Sequence, residues 1–326
     1  MALAMYQSIR NFPQQFLETW NLVSRHPGLA PWKKSPESRI YYAAMGGSSL
    51  PADLLNDYWD GAPRLEVVRD YRLPKSAGPQ DLLIAASFSG NTEETLAAFE
   101  DGLERGCRSV AMSNAGALRK LAEQKGVPWI AIPDCIQPRS AAGYFFAAVL
   151  TCLHRLEVLP SPLSTLEKLT SFLVTIQEEA EAQGKKLAEA LQGFVPIVYG
   201  PTEFYAVCRI WKIKFNENAK IQSFFNVLPE LNHNEMVGFT KLLMKPALLM
   251  LESRFMNPRL RRRMDVMQEL LEGEMPVHRL RFKGDELLHE MFASLAVGDY
   301  ASYHLAKNYG MDPAPVAMVE AFKRKL

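Results

Sequence analysis

Short apolar runs alternate with amphipathic helical stretches through the front half of this 326-residue chain, and that alternation limits its possible folds more than any other feature. RIYYAAM (39–45), RLEVV (64–68), DLLIAAS (81–87), RSVAMS (108–113) and VPWIAI (127–132) read as strands, and 50–59, 92–105 and 116–125 read as the helices between them. Strands joined through helices run parallel, and a parallel sheet has to be covered on both faces. Sheets of this kind hold ligands beyond the carboxyl ends of their strands. An apolar helix over 138–157 closes the unit, and the proline- and serine-rich LPSPLS (159–164) reads as a connection. A charged helix over 165–192 follows. The alternation then restarts with FVPIVYG (194–200), helix 201–215, a loop-rich segment 216–238, ALLMLES (247–253), helix 257–272, VHRLRF and helix 285–308. The expected fold is a duplicated α/β domain, divided as 1–158 and 159–326.

The length suits two domains, and 48% hydrophobic with 22% charged residues suits a soluble globular protein with sizeable cores. A net charge of +1 gives no reason to expect nucleic-acid or acidic-membrane partners, and the basic run RLRRR (259–263) reads as a solvated helix face. The longest nearly apolar stretch, 141–153, falls short of the ~18 residues that a spanning helix needs. The opening MALAMYQSIRNF has no basic n-region, so no secretory signal is expected. Cys107, Cys135, Cys152 and Cys208 are scattered without a CxxC pair, which points to reduced thiols in the cytoplasm and not to disulfides or a structural zinc site.

SFSGNTEE (87–94) sits where a strand passes into a helix. Asn91 with Glu94 fits a capping box, which would serve the free amides of the first turn. That accounts for neither Ser87, Ser89 nor Gly90. A helix N-terminus carries unpaired N–H groups and partial positive charge, hydroxyls can point at the same oxygens, and a glycine lets backbone approach closely. The segment then suits a phosphate monoester held by dipoles and hydroxyls without a cation. With neither a Walker A nor a GxGxxG sequence, nucleoside triphosphates and dinucleotides are not expected. Gly46-Gly47-Ser48-Ser49 ends the first strand, and alone would be an ordinary turn. Two such turns at neighbouring strand ends can face one crevice.

A second constellation is KFNENAKIQSFFNVLPELNHNEMVGF (214–239), where Glu217 and His233 each lie between asparagines. As plain loop residues they would be solvated; as an acid/base pair they are the side chains most easily tuned toward neutral pH. Glu230, His233 and Glu235 form no HExxH, and no metal is expected. Arg139 precedes a very apolar helix, as a helix-end salt bridge or as a cation for a developing enolate. Lys323, in EAFKRKL, reads from sequence alone as a solvated tail charge.

MGGSS (45–49), SFSGNTEET (87–95), PRSAAGYFF (138–146), NENAK (216–220), PELNHNEMVGF (229–239), GDYASYHLA (298–306) and the DPAPV…FKRKL tail (312–326) together resemble the sugar isomerase (SIS) superfamily. More narrowly, they are similar to bifunctional phosphoglucose/phosphomannose isomerases. NENAK followed by PELNHNE is the more specific part; SGNT is shared by many sugar-phosphate binders. The resemblance implies two SIS domains, each a five-stranded parallel sheet flanked by helices. It also implies a cytoplasmic homodimer with shared active sites, acting on hexose 6-phosphates without cofactor or metal. Glu217 would move a proton between C1 and C2, and His233 would assist at the sugar ring of the opposite subunit's site. Arg139 would stabilise a cis-enediolate and Lys323 would help open the ring. Ser48, Ser87, Ser89 and Thr92 would hold the phosphate, with Gly47 presenting its backbone. Ala301, His304 and the C-terminal tail depart from what other members often carry and bear on the use of mannose 6-phosphate.

A non-catalytic SIS-domain sugar-phosphate sensor is the rival of another class, and the pairing of Glu217 with His233 speaks against it. A glucosamine-6-phosphate synthase-like isomerase half would want a glutaminase domain and an N-terminal cysteine.

Overall fold

The computed structural model describes residues 2–59 and 63–325. Two compact units are present, one over 11–171 and one from Phe172 onward that also includes the first helix. In chain order the helices and strands are α1 Ala2–Arg10, α2 Gln15–Val23, β1 Ile40–Ala44, α3 Gly46–Tyr58, β2 Leu65–Val68, β3 Leu82–Ala86, α4 Glu93–Glu104, β4 Arg108–Ser113, α5 Gly116–Gln124, β5 Trp129–Ala131 and α6 Ala142–Arg155. They continue with α7 Leu163–Ala190, β6 Val195–Pro201, α8 Tyr205–Lys214, β7 Phe224–Leu228, α9 Leu231–Asn234, β8 Pro246–Glu252, α10 Pro258–Leu271, β9 Val277–Arg281, α11 Leu287–Asn308 and α12 Ala317–Lys323. The boundary between units falls inside α7.

The N-terminal unit is built on a five-stranded parallel sheet in the order β2-β1-β3-β4-β5. Every residue of β1 and β3 is buried, which is why IYYAA and LLIAA are continuous apolar runs without polar alternation. Tyr41, Ala43, Leu83, Ala85 and Ala111 form one face and pack with Phe99 of α4 and with Leu118 and Ala122 of α5. On α4, a Cβ at Gly102 would stand 2.3 Å from Leu83 Cδ2, so glycine sets how close this helix comes to the sheet. α3 and α6 pack against each other, and α6 also packs against α2.

The C-terminal unit holds a parallel sheet in the order β7-β6-β8-β9. Ile197, Tyr199, Leu248 and Met250 pack with Met264, Met267 and Leu271 of α10. α8 and α11 meet where Trp211 Nε1 donates to Ser294 Oγ at 3.0 Å and Lys214 pairs with Asp299. A Cβ at Gly298 would come within 2.9 Å of the Trp211 ring. α1 also belongs here: Tyr6 donates its hydroxyl to Glu181 at 2.8 Å and Arg10 pairs with Glu178 at 2.6 Å.

The parallel α/β plan in both halves is as expected, with one correction. Five strands were expected in each sheet, and the second sheet has four among the described residues. After β9 the chain passes into α11, and beyond α11 the described residues carry Pro313 and Pro315, which cannot donate to a ladder, and then helix α12; the apolar residues 316–319 are not in a strand. Three of those four strands were legible in sequence. β7 was hidden in the loop-rich segment because FFNVL is short, is interrupted by Asn226, and lies at a sheet edge with most positions only half-buried or exposed. Among the described residues no helix is long and apolar enough to cross a membrane. The four cysteines form no disulfide.

Candidate active site

The carboxyl ends of β1 and β3 lie side by side, with Ala44 opposite Ala86. Alanines close both strands, so little side-chain bulk separates the two turns beyond them. After β1 the chain turns at Gly46, whose φ is +50°, straight into α3, so Gly47, Ser48 and Ser49 form the first turn of a helix expected to begin only at residue 50. A Cβ at Gly47 would sit 2.9 Å from the backbone nitrogen of Arg139, so the 3-10 turn Pro138–Ala141 can lie against α3 only because residue 47 is glycine. Ser48 is buried; its Oγ accepts the Phe88 N–H at 3.0 Å, and its carbonyl accepts the Tyr42 hydroxyl at 2.9 Å.

After β3, Ser87 is buried and its Oγ accepts the Gly90 N–H at 3.1 Å and lies 2.9 Å from Thr92 Oγ1. Gly90 has φ +68°, and a Cβ there would overlap the Ala115 carbonyl oxygen at 1.8 Å. Ser89 is exposed at the tip of the loop and accepts the Asn91 N–H at 3.2 Å. Gly47, Ser48, Ser87 and Thr92 are thereby brought together, with the Arg139 backbone against them. Arg139 itself is 6% exposed, and its Nη1 is 3.5 Å from Gln137 Oε1. Nearby, burial pushes the Cys135 thiol up to about 12.

The capping box does not form. α4 begins at Glu93 with Thr92 at its N-cap, and no side chain caps it. Asn91 instead accepts the Ala117 N–H at 2.9 Å and caps the neighbouring α5. Thr92 turns its hydroxyl to Ser87. The Thr92 side chain therefore does not serve the first-turn amides of α4, which carry their share of the helix dipole.

Glu217 lies on a π-helical turn, Phe215–Ala219, that continues α8, and it is half-buried. Inserted π turns re-aim side chains at a helix end. The asparagines on either side are structural: Asn218 donates to Ser302 Oγ of α11 at 2.9 Å, and Asn216 to the Ile221 carbonyl at 2.9 Å. Lys220 closes the turn in a left-handed conformation, φ +61°. Its Nζ donates to the Glu217 carbonyl and, at 3.2 Å, to that of Pro313, which ties the C-terminal segment to the turn that carries Glu217.

His233 is exposed, on α9. Glu235 is pinned: one carboxylate oxygen accepts the Tyr199 hydroxyl at 2.5 Å and the other accepts Asn226 Nδ2 at 2.5 Å, while burial raises the Tyr199 pKa. Glu230 accepts from Asn234 at 2.8 Å. Among the described residues no three His, Cys, Asp or Glu side chains are grouped to hold a metal. Lys323 is exposed at the end of α12.

Glu217 and His233 do not meet within one chain. α8 crosses from β6 to the parallel β7 and so runs back toward the end where strands begin. After Glu217 the chain passes the start of β6, where Ser223 Oγ donates to the Pro196 carbonyl at 2.8 Å. His233 follows the far end of β7, where Thr202 Oγ1 donates to the Leu228 carbonyl at 2.8 Å. The strand between them extends over roughly 13 Å at ~3.3 Å per residue. The resemblance implies that His233 serves the opposite subunit's site, and its distance from Glu217 of the same chain agrees with that; the cap that Asn91 gives α5 and the tie through Lys220 were not legible in the sequence. Only Lys220 left a trace, as the last residue of NENAK.

Residues 180–326 match the family described as bacterial phospho-glucose isomerase C-terminal SIS domain. The chain is 32% identical to the bifunctional phosphoglucose/phosphomannose isomerase of Caldicellulosiruptor bescii, over 99% of this chain and 98% of that protein. It is 31% identical to the protein of the same name from Thermoplasma acidophilum, over 89% and 90%. The structure is similar to that of tagatose-6-phosphate ketose/aldose isomerase from Escherichia coli, with a TM-score of 0.69 at 15% identity over 95% of this chain and 94% of that one, a likeness of fold. Sequence agreement at this level along the whole length, on a fold of this plan, places the chain in the family of bifunctional phosphoglucose/phosphomannose isomerases.

Proposed function

We propose that this protein interconverts glucose 6-phosphate and mannose 6-phosphate with fructose 6-phosphate, through a cis-enediolate. The observation that carries the reading is the joining of two hydroxyl-bearing strand ends by the Ser48–Phe88 hydrogen bond, beside the uncapped start of α4. Two relatives named for both isomerisations match the chain over nearly its whole length or nine-tenths of it. Each unit is read as an SIS-type domain.

In this reading the phosphate is held by Ser48, Ser87, Ser89 and Thr92 with the Gly47 backbone, remote from the carbons that react. Binding energy gained there positions C1 and C2. Glu217 takes the proton from C2 of the opened aldose and returns it to C1. Arg139 offsets the negative charge on the intermediate's oxygens. His233 and Lys323 transfer protons at O5 and O1 as the ring opens. Return of the proton to either face of C2 connects both aldoses to one ketose. The enzyme acts as a homodimer in which His233 serves the site of the opposite subunit; the placement of Glu217 and His233 at opposite ends of β7 supports this.

The test is a coupled assay on the purified protein, with fructose 6-phosphate supplied and glucose and mannose 6-phosphates measured. Formation of both is the expected result. Formation of neither overturns the reading, and glucose 6-phosphate alone confines it to one aldose.

A further inference from the structure

The C-terminal sheet repeats the strand order of the N-terminal one, β7-β6-β8-β9 against β2-β1-β3-β4. β8 is therefore the counterpart of β3. Ser253 is the first residue after β8, as Ser87 is the first after β3. Each serine is buried, and each hydroxyl oxygen accepts a backbone N–H from the loop beyond it: Gly90 at 3.1 Å for Ser87, Phe255 at 3.1 Å for Ser253.

What differs is what sits on the serine. The hydroxyl of Ser253 donates to Glu290 Oε2 at 2.7 Å, and the Arg254 N–H donates to the same oxygen at 3.1 Å. Arg254 Nε lies 3.4 Å from Glu290 Oε1. Arg261 is beside them, with its Nη2 donating to the Ser253 carbonyl at 3.1 Å. Glu290 comes from α11 and is 1% exposed. A hydroxyl, a backbone amide and a guanidinium at a strand's carboxyl end make the donor set of an oxyanion site, and here a carboxylate of the chain itself is seated in it. Burying a carboxylate costs several kcal/mol unless such donors surround it. The helix beyond the loop is closed as well: Asn257 caps α10 through the Arg259 N–H at 2.9 Å, and Pro258 offers no N–H. α4 in the other unit has no side-chain cap, and its loop carries no carboxylate on Ser87.

We propose that the C-terminal unit contains a second oxyanion site on the plan of the N-terminal loop, and that the Glu290 carboxylate permanently occupies it. The chain then binds one sugar phosphate and not two. The ligand class of the vacated site is a small oxyanion, phosphate or carboxylate. The likeness to the N-terminal loop rests on the phosphate reading of that loop; the seated carboxylate does not.

The test is Glu290→Ala, titrated calorimetrically with inorganic phosphate beside the wild type. The expected result is one more phosphate per chain in the variant. It is accompanied by lowered thermal stability that phosphate or formate restores and chloride at equal ionic strength does not, with no such restoration in the wild type. Equal phosphate counts, or stability restored equally by chloride, overturn the proposal. The difference of one holds whether the wild type binds one phosphate or none, so failure of the N-terminal phosphate reading is distinguished from failure of this one. If the variant does not fold, refolding in phosphate is compared with refolding in chloride: recovery confined to phosphate supports the occupied site, and equal failure in both overturns it.

Discussion

Ser48 Oγ accepts the backbone N–H of Phe88 at 3.0 Å, so the first turn of α3 and the loop after β3 act as one assembly. In the proposed reading, the hydroxyls and helix amides of these two neighbouring strand ends hold one phosphate between them.

Serine substitutions in this assembly should act on binding. A hydrogen bond to a charged group contributes about 1.5–3 kcal/mol, so Ser48→Ala is expected to raise KM for fructose 6-phosphate by ~10–100-fold. Ser89→Ala, at the exposed loop tip, is expected to raise KM less and to leave kcat nearly unchanged. Steady-state kinetics with fructose 6-phosphate checks both, and an unaltered KM in the two variants would remove the phosphate from this loop.

Glu217→Gln keeps shape and removes the proposed base. A positioned general base contributes ~10²–10⁴-fold, and a drop in kcat of that order is expected with KM for fructose 6-phosphate little changed. Turnover equal to the wild type would take Glu217 out of the mechanism.

The separation of Glu217 from His233 along β7 gives a mixing experiment. Chains carrying Glu217→Gln and chains carrying His233→Ala are each expected to be nearly inactive. In the proposed homodimer, unfolding and refolding them together makes half of the dimers mixed, and with shared sites each mixed dimer would have one site with both residues intact. Activity should recover to about a quarter of the wild type if sites are shared across a two-fold dimer. No recovery would mean that the two residues serve the same chain.

Gly90 is expected to tolerate no side chain. Its φ of +68° is costly for other residues, and a Cβ would meet the Ala115 carbonyl oxygen at 1.8 Å, a backbone atom that cannot turn aside. Gly90→Ala should lower stability by about 2 kcal/mol or more and raise KM as the loop shifts. Chemical denaturation together with kinetics checks this. Asn91→Ala, which removes the cap of α5, should cost about 1 kcal/mol.

His278 gives a pH signature. It is half-buried on β9, and burial lowers its pKa below the ordinary value of 6.5. A lowered folded-state pKa means that its contribution to stability is present above 6.5 and is lost as pH falls through the folded value. The difference in stability between wild type and His278→Gln should therefore move in favour of the variant on acidification below 6.5. Buried Glu290 and half-buried Glu203, whose pKa values burial raises, act in the opposite sense in both proteins and cancel in that difference. A difference that stays flat across this range would contradict the assignment.

The sequence by itself determined the layered parallel plan, because apolar runs such as IYYAA and LLIAA need cover on both faces and the stretches between them carry helical spacing. It also located the hydroxyl-rich turns and the asparagine-flanked Glu217 and His233, since those signals are local and lie within a few residues. Tertiary structure decided the pairings between distant segments: Ser48 with Phe88, Asn91 with the start of α5, Lys220 with Pro313, and Glu290 seated on Ser253. No local rule favours one such partner over another. In each of these pairs a hydroxyl, amide or ammonium is satisfied by the group that folding brings within hydrogen-bond reach.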